Sequence, residues 1–531
     1  MSDQESRHAI RGAEPVSRRA FLERSTALGI TATLAGSMVG RAAWAAQPKK
    51  GGRLVAGVAH GATTDSLDPA TYENNYTVGL ANGIHNFLTE IDANGQLVPE
   101  LAESWEASDD AKQWTFKLRK GVEFQNGKSV SADDVVASIN HHRGEDTKSG
   151  AKPIVAGIED IKTDGGQTVT FKLSEGNADF AFIMSDIHLP IVPANSDGTI
   201  DWRSGIGTGG YLLESFEPGV RATLKRNPNY WKEGRAHFDA VELLSIVDTT
   251  ARSNALATGE IHVMDRCDLK TVHLLKRNKD LRVEEVTGTL HYTFPMRTDI
   301  APFDNNDVRL ALKYAIDREE MVQKILRGHG VVGNDHPIGP ANRFFGDGLE
   351  QRAYDPDKAK FHLKKAGAEG LTVDLSAADA AFGGAVDAAA LYKERAAKAG
   401  ININVVREPN DGYWSNVWLK KPWCACYWSG RPTEDWMFST AYEAGADWND
   451  TYWNNGRFNA LLVEARAELD QAKRRDMYIE MQKLVRDDGG AVIPMFANYV
   501  FAVSNQVQHD AAMSGNWDLD GERFMERWWF A

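Results

Sequence analysis

The sequence predicts a mixed α/β protein of at least two lobes, with a chain that interleaves them. Three observations carry this. The chain has 531 residues, which at ~150 residues per domain is more than one ordinary core can use. Strand-period and helix-period apolar patterns are mixed along its length, which favours α/β layers over a β-sandwich or a helical bundle. No repeat, low-complexity run or Pro/Ser-rich linker cuts the chain into separate beads.

The elements follow in order. Residues 1–45 stand apart: Arg18-Arg19 precede an uncharged stretch over 27–40, then Arg41 and the small-residue site Ala43-Trp44-Ala45. This is the pattern of a twin-arginine export signal. The stretch falls short of the ~20 apolar residues of a spanning helix. No cysteine near the cleavage site offers a lipid anchor. Arg53 to Val58 reads as a short strand, followed by a turn at Asp65-Ser66-Leu67-Asp68-Pro69. Residues 114–119 and 168–173 alternate as half-buried strands do. Between them Ser131-Ala132-Asp133-Asp134 is a capping box that opens a helix with Val135, Val136 and Ile139 on its apolar stripe. A second helix is expected from Asp307 to Gly328, through Val308, Leu312, Ile316, Val322 and Ile325, and a third from about Asn459 to Arg486.

Several motifs resemble chemistry and lack its context. Gly205 to Gly210 satisfies GxGxxG, but a strand, a turn and another strand follow instead of the helix that must face a pyrophosphate. The run Gly121 to Ser129 has one residue too many between its glycines for a phosphate-binding loop. Neither HExxH nor GxSxG before a helix occurs. His329, Asp335 and His336 lie in a Gly-rich loop and read as packing residues. Cys267, Cys424 and Cys426 read as buried thiols, because a one-residue gap strains a local disulfide. With 60 Lys plus Arg against 74 Asp plus Glu, the formal charge of −14 argues against a nucleic-acid partner, whose affinity needs a cationic surface.

The strongest compositional signal is tryptophan. Of 15, seven fall between 414 and 453: Trp414, Trp418, Trp423, Trp428, Trp436, Trp448 and Trp453. Indoles join a broad apolar face to one N–H donor, which suits a surface that grips and releases a small molecule. Within the cluster, residues 428–436 (Trp-Ser-Gly-Arg-Pro-Thr-Glu-Asp-Trp) place both charge signs on one Pro-containing loop, able to hold a zwitterion.

Taken together, Ser66-Leu67-Asp68-Pro69-Ala70, Leu101-Ala102-Glu103-Ser104-Trp105, the run from Trp114 to Val122, Ala132-Asp133-Asp134-Val135, Gly207-Thr208-Gly209 with Tyr211, Arg226-Asn227-Pro228-Asn229-Tyr230-Trp231, and Asp307-Val308-Arg309 through Ala315-Ile316-Asp317-Arg318 resemble the extracytoplasmic solute-binding proteins of family 5, which serve peptide, nickel and opine ABC importers. The resemblance implies a two-lobed periplasmic-binding-protein-like (type II) α/β fold. Lobe I would take residues 46–298, with an inserted subdomain at about 91–200, and lobe II residues 299–494. Residues 495–531 would return to lobe I. It also implies a non-catalytic, monomeric periplasmic protein without cofactor or metal, whose partners are a small-molecule or peptide ligand and ABC permease subunits. The ligand would be a short peptide, opine or similar zwitterion. Peptide-binding members commonly carry an acid where Arg431 stands, so Arg431 is expected to meet a carboxylate in bidentate fashion, and Glu434 or Asp435 an ammonium. The candidate ligand-binding set is Trp428, Arg431, Glu434, Asp435, Trp436 and Trp414, with Tyr72 and Tyr76. Alternative readings are a carrier for a metal chelate or oligosaccharide and, from another class, an exported hydrolase using acids near the aromatic cluster.

Overall fold

The structure, a computed structural model, describes residues 48–531 except Asp411, Ser429, Gly430 and Pro432; the expected export signal lies outside the described residues. The strand Arg53–Val58 is flanked in parallel by Ala240–Ser245 and Val263–Met264. Leu54, Ala56 and Val58 are fully buried, which is why this strand reads as nearly continuous apolar sequence. It is the centre of a nine-stranded sheet ordered Cys426–Trp428, Leu281–Pro295, Ala491–Ser504, Val263–Met264, Arg53–Val58, Ala240–Ser245, Arg221–Arg226, Tyr211–Glu217, with Gly330–Val332 also paired to Ala491–Ser504.

Two members of this sheet join the lobes. Leu281–Pro295 and Ala491–Ser504 run antiparallel along most of their length, with the register shifting between Thr287 and His291. On one side of the shift Ala491–Ser504 bonds Val263–Met264, and on the other Leu281–Pro295 bonds Cys426–Trp428. Gly288 sits at the irregularity because any side chain there would run into the ring of Tyr499.

A separate antiparallel sheet, in the order Ala102–Ala107, Gln113–Leu118, Thr168–Leu173, Ile158–Thr163, forms the inserted body. Trp114, Phe116 and Leu118 point into its core while Thr115 and Lys117 point out. The helix Ala132–Asn140 closes this core. Its capping box is formed as expected, with the Asp134 carboxylate accepting from the Ser131 N–H at 2.9 Å.

The second lobe has two cores. One surrounds Phe294, Leu312, Leu375, Tyr392 and Trp423, under the parallel pair Thr372–Ala377 and Asn402–Arg407. The other surrounds Phe438, Leu461, Tyr478, Met481 and Ile493. Two expected helices are each broken. The first is Asn306–Tyr314 and Arg318–Lys324, because the Asp317 carboxylate accepts the Glu320 N–H at 3.0 Å and starts a new helix. The second is Gly456–Ala467 and Gln471–Asp488, where Asp470 accepts from Ala472 and Lys473. In both places an internal aspartate acts as an N-cap, a signal that apolar spacing alone hides.

Towards the far end of the chain Leu519, Phe524, Met525 and Trp528 share a core with Leu54, Tyr76 and Leu243. Glu90, Glu100 and Glu526 converge there and are neutralised by Lys232, Arg523 and Arg527, with the Lys232 Nζ at 2.6, 2.5 and 3.0 Å from the three carboxylates. Among the described residues no helix is long and apolar enough to cross a membrane.

Candidate functional site

Past the edge strand Cys426–Trp428, Arg431 faces the gap between the lobes. Thr433 then caps the helix Glu434–Ala441, its hydroxyl accepting the Trp436 N–H at 3.3 Å. Arg431 and Trp436 are thereby presented together. Facing them are Tyr72, Glu73, Asp186, His188, Tyr499 and Trp517, and the space enclosed is about 290 Å³. Both lobes therefore wall one cavity, of the size and aromatic lining of a small-ligand site.

The Arg431 guanidinium carbon lies 5.8 Å from the Trp436 ring centre and 6.0 Å from that of Trp428. Burial disfavours its charge, and Asp186 partly restores it. A half-buried arginine beside two indole rings is a fork for a carboxylate or another planar anion. His188 Nδ1 is 2.7 Å from Asp186 Oδ1; burial opposes the His188 proton, but Asp186 outweighs it and raises the imidazole's affinity for it.

The structure distributes the sequence-predicted residues unevenly. Arg431, Trp436 and Tyr72 line the cavity, and Tyr72 is fixed by donating its hydroxyl to Leu67 O at 2.9 Å. Trp428 lies behind Arg431, with its indole N–H on Asp450 at 3.3 Å. Trp414 is 41% exposed and packs edge-on to Trp418 and Tyr427, outside the cavity. Three assignments are corrected. Glu434 is buried, and its carboxylate accepts the Phe344 N–H at 2.7 Å. Asp435 is bound by the Arg466 Nε at 3.1 Å, and burial pushes it up to about 6 against that partner. Both carboxylates are thus engaged within the fold, and Asp435 lies on the wall of a neighbouring pocket rather than of this cavity. Tyr76 belongs to the first-lobe core, stacked on Phe216 with its hydroxyl on Glu217 O.

The GxGxxG run is a packing device: Gly207 and Gly209 lie backbone to backbone against Ile84, where a Cβ would clash. Asp335 of the histidine loop is held by Arg318 at 2.6 Å and Arg352 at 2.9 Å. Cys267, Cys424 and Cys426 are free and buried.

Sequence reasoning missed Asp186, His188, Tyr499 and the segment around Trp517. The first two sit in irregular backbone with no period to read. Trp517 introduces residues 519–522, which all take left-handed backbone, at φ of 45°, 61°, 70° and 57°. Such a conformation costs roughly 1–2 kcal/mol per non-glycine residue. It is held because Asp520 Oδ1 accepts from the Ser514 N–H at 2.7 Å and from Arg527 at 2.9 Å. An Asp-Gly pair at 520–521 was the only local hint.

Comparison with known proteins agrees with this architecture. Residues 96–450 match the family model of the bacterial extracellular solute-binding proteins, family 5 Middle. The dipeptide-binding protein of Escherichia coli (strain K12) is 27% identical over 453 residues, covering 77% of this chain and 83% of that protein. Among solved structures, the periplasmic binding protein DppA from Helicobacter pylori in complex with peptide STSA superposes with a TM-score of 0.71 at 23% identity, over 91% of this chain and 99% of that one. The agropinic acid complex of AgaA from A. tumefaciens R10 gives 0.71 at 24% identity, over 90% and 99%.

Proposed function

The chain belongs to the bacterial extracellular solute-binding proteins of family 5, and we propose that it captures a small carboxylate-bearing solute between its lobes and hands it to an ABC permease in the inner membrane. The observation that carries the reading is the cavity in which Arg431 and Trp436 of one lobe meet Tyr72, Asp186 and Trp517 of the other. A ligand touching both walls favours the closed over the open arrangement, and that difference in affinity drives closure. Dipeptides and agropinic acid, which the relatives' names record, both carry the carboxylate that this chemistry asks for. The engagement of Glu434 and Asp435 within the fold speaks against hydrolysis. Export through the twin-arginine route, followed by action as a periplasmic monomer, completes the proposal.

Native mass spectrometry of the protein purified from its host tests it, followed by titration of the recovered solute. One unchanged carboxylate-bearing molecule per chain is expected. Arg431→Ala should weaken its binding by at least about thirtyfold, as removing one partner of a buried charge pair costs about 2–5 kcal/mol. Turnover of the solute, or wild-type affinity in Arg431→Ala, would overturn the reading.

A further inference from the structure

A second chamber opens off the first, sharing Glu73, Tyr499 and Trp517 with it, and encloses about 460 Å³. One wall is aromatic: Tyr292 stacks on Phe382 at 4.2 Å and 7°, and Tyr427 stands beside them. The lining also includes Glu73 and Asp518. Asp518 is 1% exposed, and its Oδ2 has no hydrogen-bond partner among the described residues. Behind it, both carboxylate oxygens of fully buried Glu522 are likewise unpartnered. The left-handed turn at 519–522 is the device that turns Asp518 and Glu522 away from ordinary helical positions. Leaving buried carboxylates unsatisfied costs about 1–3 kcal/mol each or more, which is tolerable at a place completed by a ligand.

We propose that this chamber is a cation subsite, taking an alkylammonium or guanidinium group at the far end of the solute whose anionic end meets Arg431. The inference rests on the reading above and extends it to a solute with widely separated charges. Aromatic faces with a carboxylate at their edge are the combination that attracts alkylated cations. The chamber also holds Arg266, whose Nη1 lies 3.4 Å from His60 Nε2. Burial and the neighbouring Arg266 push the His60 imidazole down to about 4, while burial and nearby Asp265 push Asp518 up to about 7, so an incoming cation would draw Asp518 into its charged form. Asp265 does not compete for that cation, being bound by Asn75 at 2.8 Å, the Ala59 N–H at 2.8 Å and Arg252 at 3.3 Å.

The test uses ω-amino acids with chains of five to eleven methylenes and their N-acetylated counterparts, titrated calorimetrically into the wild-type protein. At the best length the ammonium form should bind at least tenfold more tightly. Asp518→Asn should remove that preference and leave the N-acetyl acid unchanged. The amide keeps a carbonyl oxygen to accept the Leu519 N–H, which Asp518 Oδ1 takes at 3.0 Å. Glu73→Gln, at the exposed mouth, should reduce the preference severalfold without touching any packed core. No ammonium preference at any length, or a preference that survives both substitutions, overturns the cation subsite. If Arg431→Ala leaves both series unaffected while Asp518→Asn still removes the preference, the assignment of the anionic end fails and the cation subsite stands.

Discussion

A buried aspartate makes an ionic contact between the inserted body and the second lobe, and neutralising it gives the sharpest test of how the lobes are held together. Asp179 leads into the short helix Phe180–Ile183, whose Phe180 lies in the core of the four-stranded sheet. Its carboxylate receives Arg474 Nη1 at 2.9 Å and Nη2 at 2.7 Å, and Arg343 Nη2 at 2.7 Å, from the far side of the interface. The Asp179 and Arg474 side chains are 2% and 0% exposed. Burial raises the Asp179 carboxyl, but the two guanidinium groups outweigh it and hold it below its usual value. In Asp179→Asn the Arg474 guanidinium keeps its position without its ion-pair partner, and Arg343 retains Glu434 Oε2, at 4.0 Å. Breaking a buried pair in this way costs about 3–5 kcal/mol. Water solvates both arginines once the lobes part, so the cost falls on the closed state. At ~1.4 kcal/mol per tenfold, the lower figure makes closure roughly a hundredfold less favourable, and apparent affinity for the solute drops by the same factor if the free protein rests open. Calorimetry gives the affinity, and small-angle scattering gives the radius of gyration with saturating solute. Wild-type affinity, together with wild-type compaction on binding, would refute the reasoning.

Two further outcomes follow from buried groups. Asp450 accepts the indole N–H groups of Trp418 and Trp428 at 3.1 and 3.3 Å, yet burial pushes it from 3.8 up to about 6. The native state then holds a proton that the unfolded chain has released, so its contribution to stability falls as pH rises from about 4 to about 6, by up to about 3 kcal/mol. Asp450→Asn can accept the same two bonds without a charge; its urea midpoint relative to wild type should climb across that window, and a flat difference would discard the account. Burial pushes the Cys267 thiol up to about 12 and those of Cys424 and Cys426 higher still. A thiol reagent at pH 8 should label none of the three in the native protein and all three after denaturation, whereas native labelling of any would contradict the packing.

The sequence made the fold legible wherever one face of an element is buried and the other wet. Trp114, Phe116 and Leu118 alternate with polar neighbours because the sheet they belong to has one covered side. The two broken helices were misread because Asp317 and Asp470 act as caps between apolar runs that stay in helical register. At the site, Arg431 and Trp436 stood out as a charge among indoles, and the cavity contains both. Glu434 and Asp435 were equally conspicuous, but a local sequence does not show that Phe344 and Arg466, distant in the chain, already use their carboxylates. Trp414 illustrates the same limit: an aromatic cluster marks a region, and only the fold decides which rings face inward. Asp186, Asp518 and Tyr499 come from three separate stretches and carry no pattern that sequence could join.

The bonding of the final residues to the first strand sets the order in which this protein can assemble on a ribosome. Phe530 bridges Lys49 and its ring covers Gly52, while Arg527 Nη2 reaches Glu90 Oε1 across 437 positions of sequence at 2.7 Å. The earliest strand of the first lobe therefore emerges long before its cover, and waits with Leu54 and Val58 unsealed. Closing a loop of that length costs about 5 kcal/mol in chain entropy, recovered only when the last aromatic residues dock. Contacts this remote slow folding and prolong exposure of apolar surface. A chain cut before Asp520 would lack Trp528 and both arginines of the carboxylate network, so its second lobe could be well formed while its first stayed open to proteases and chaperones.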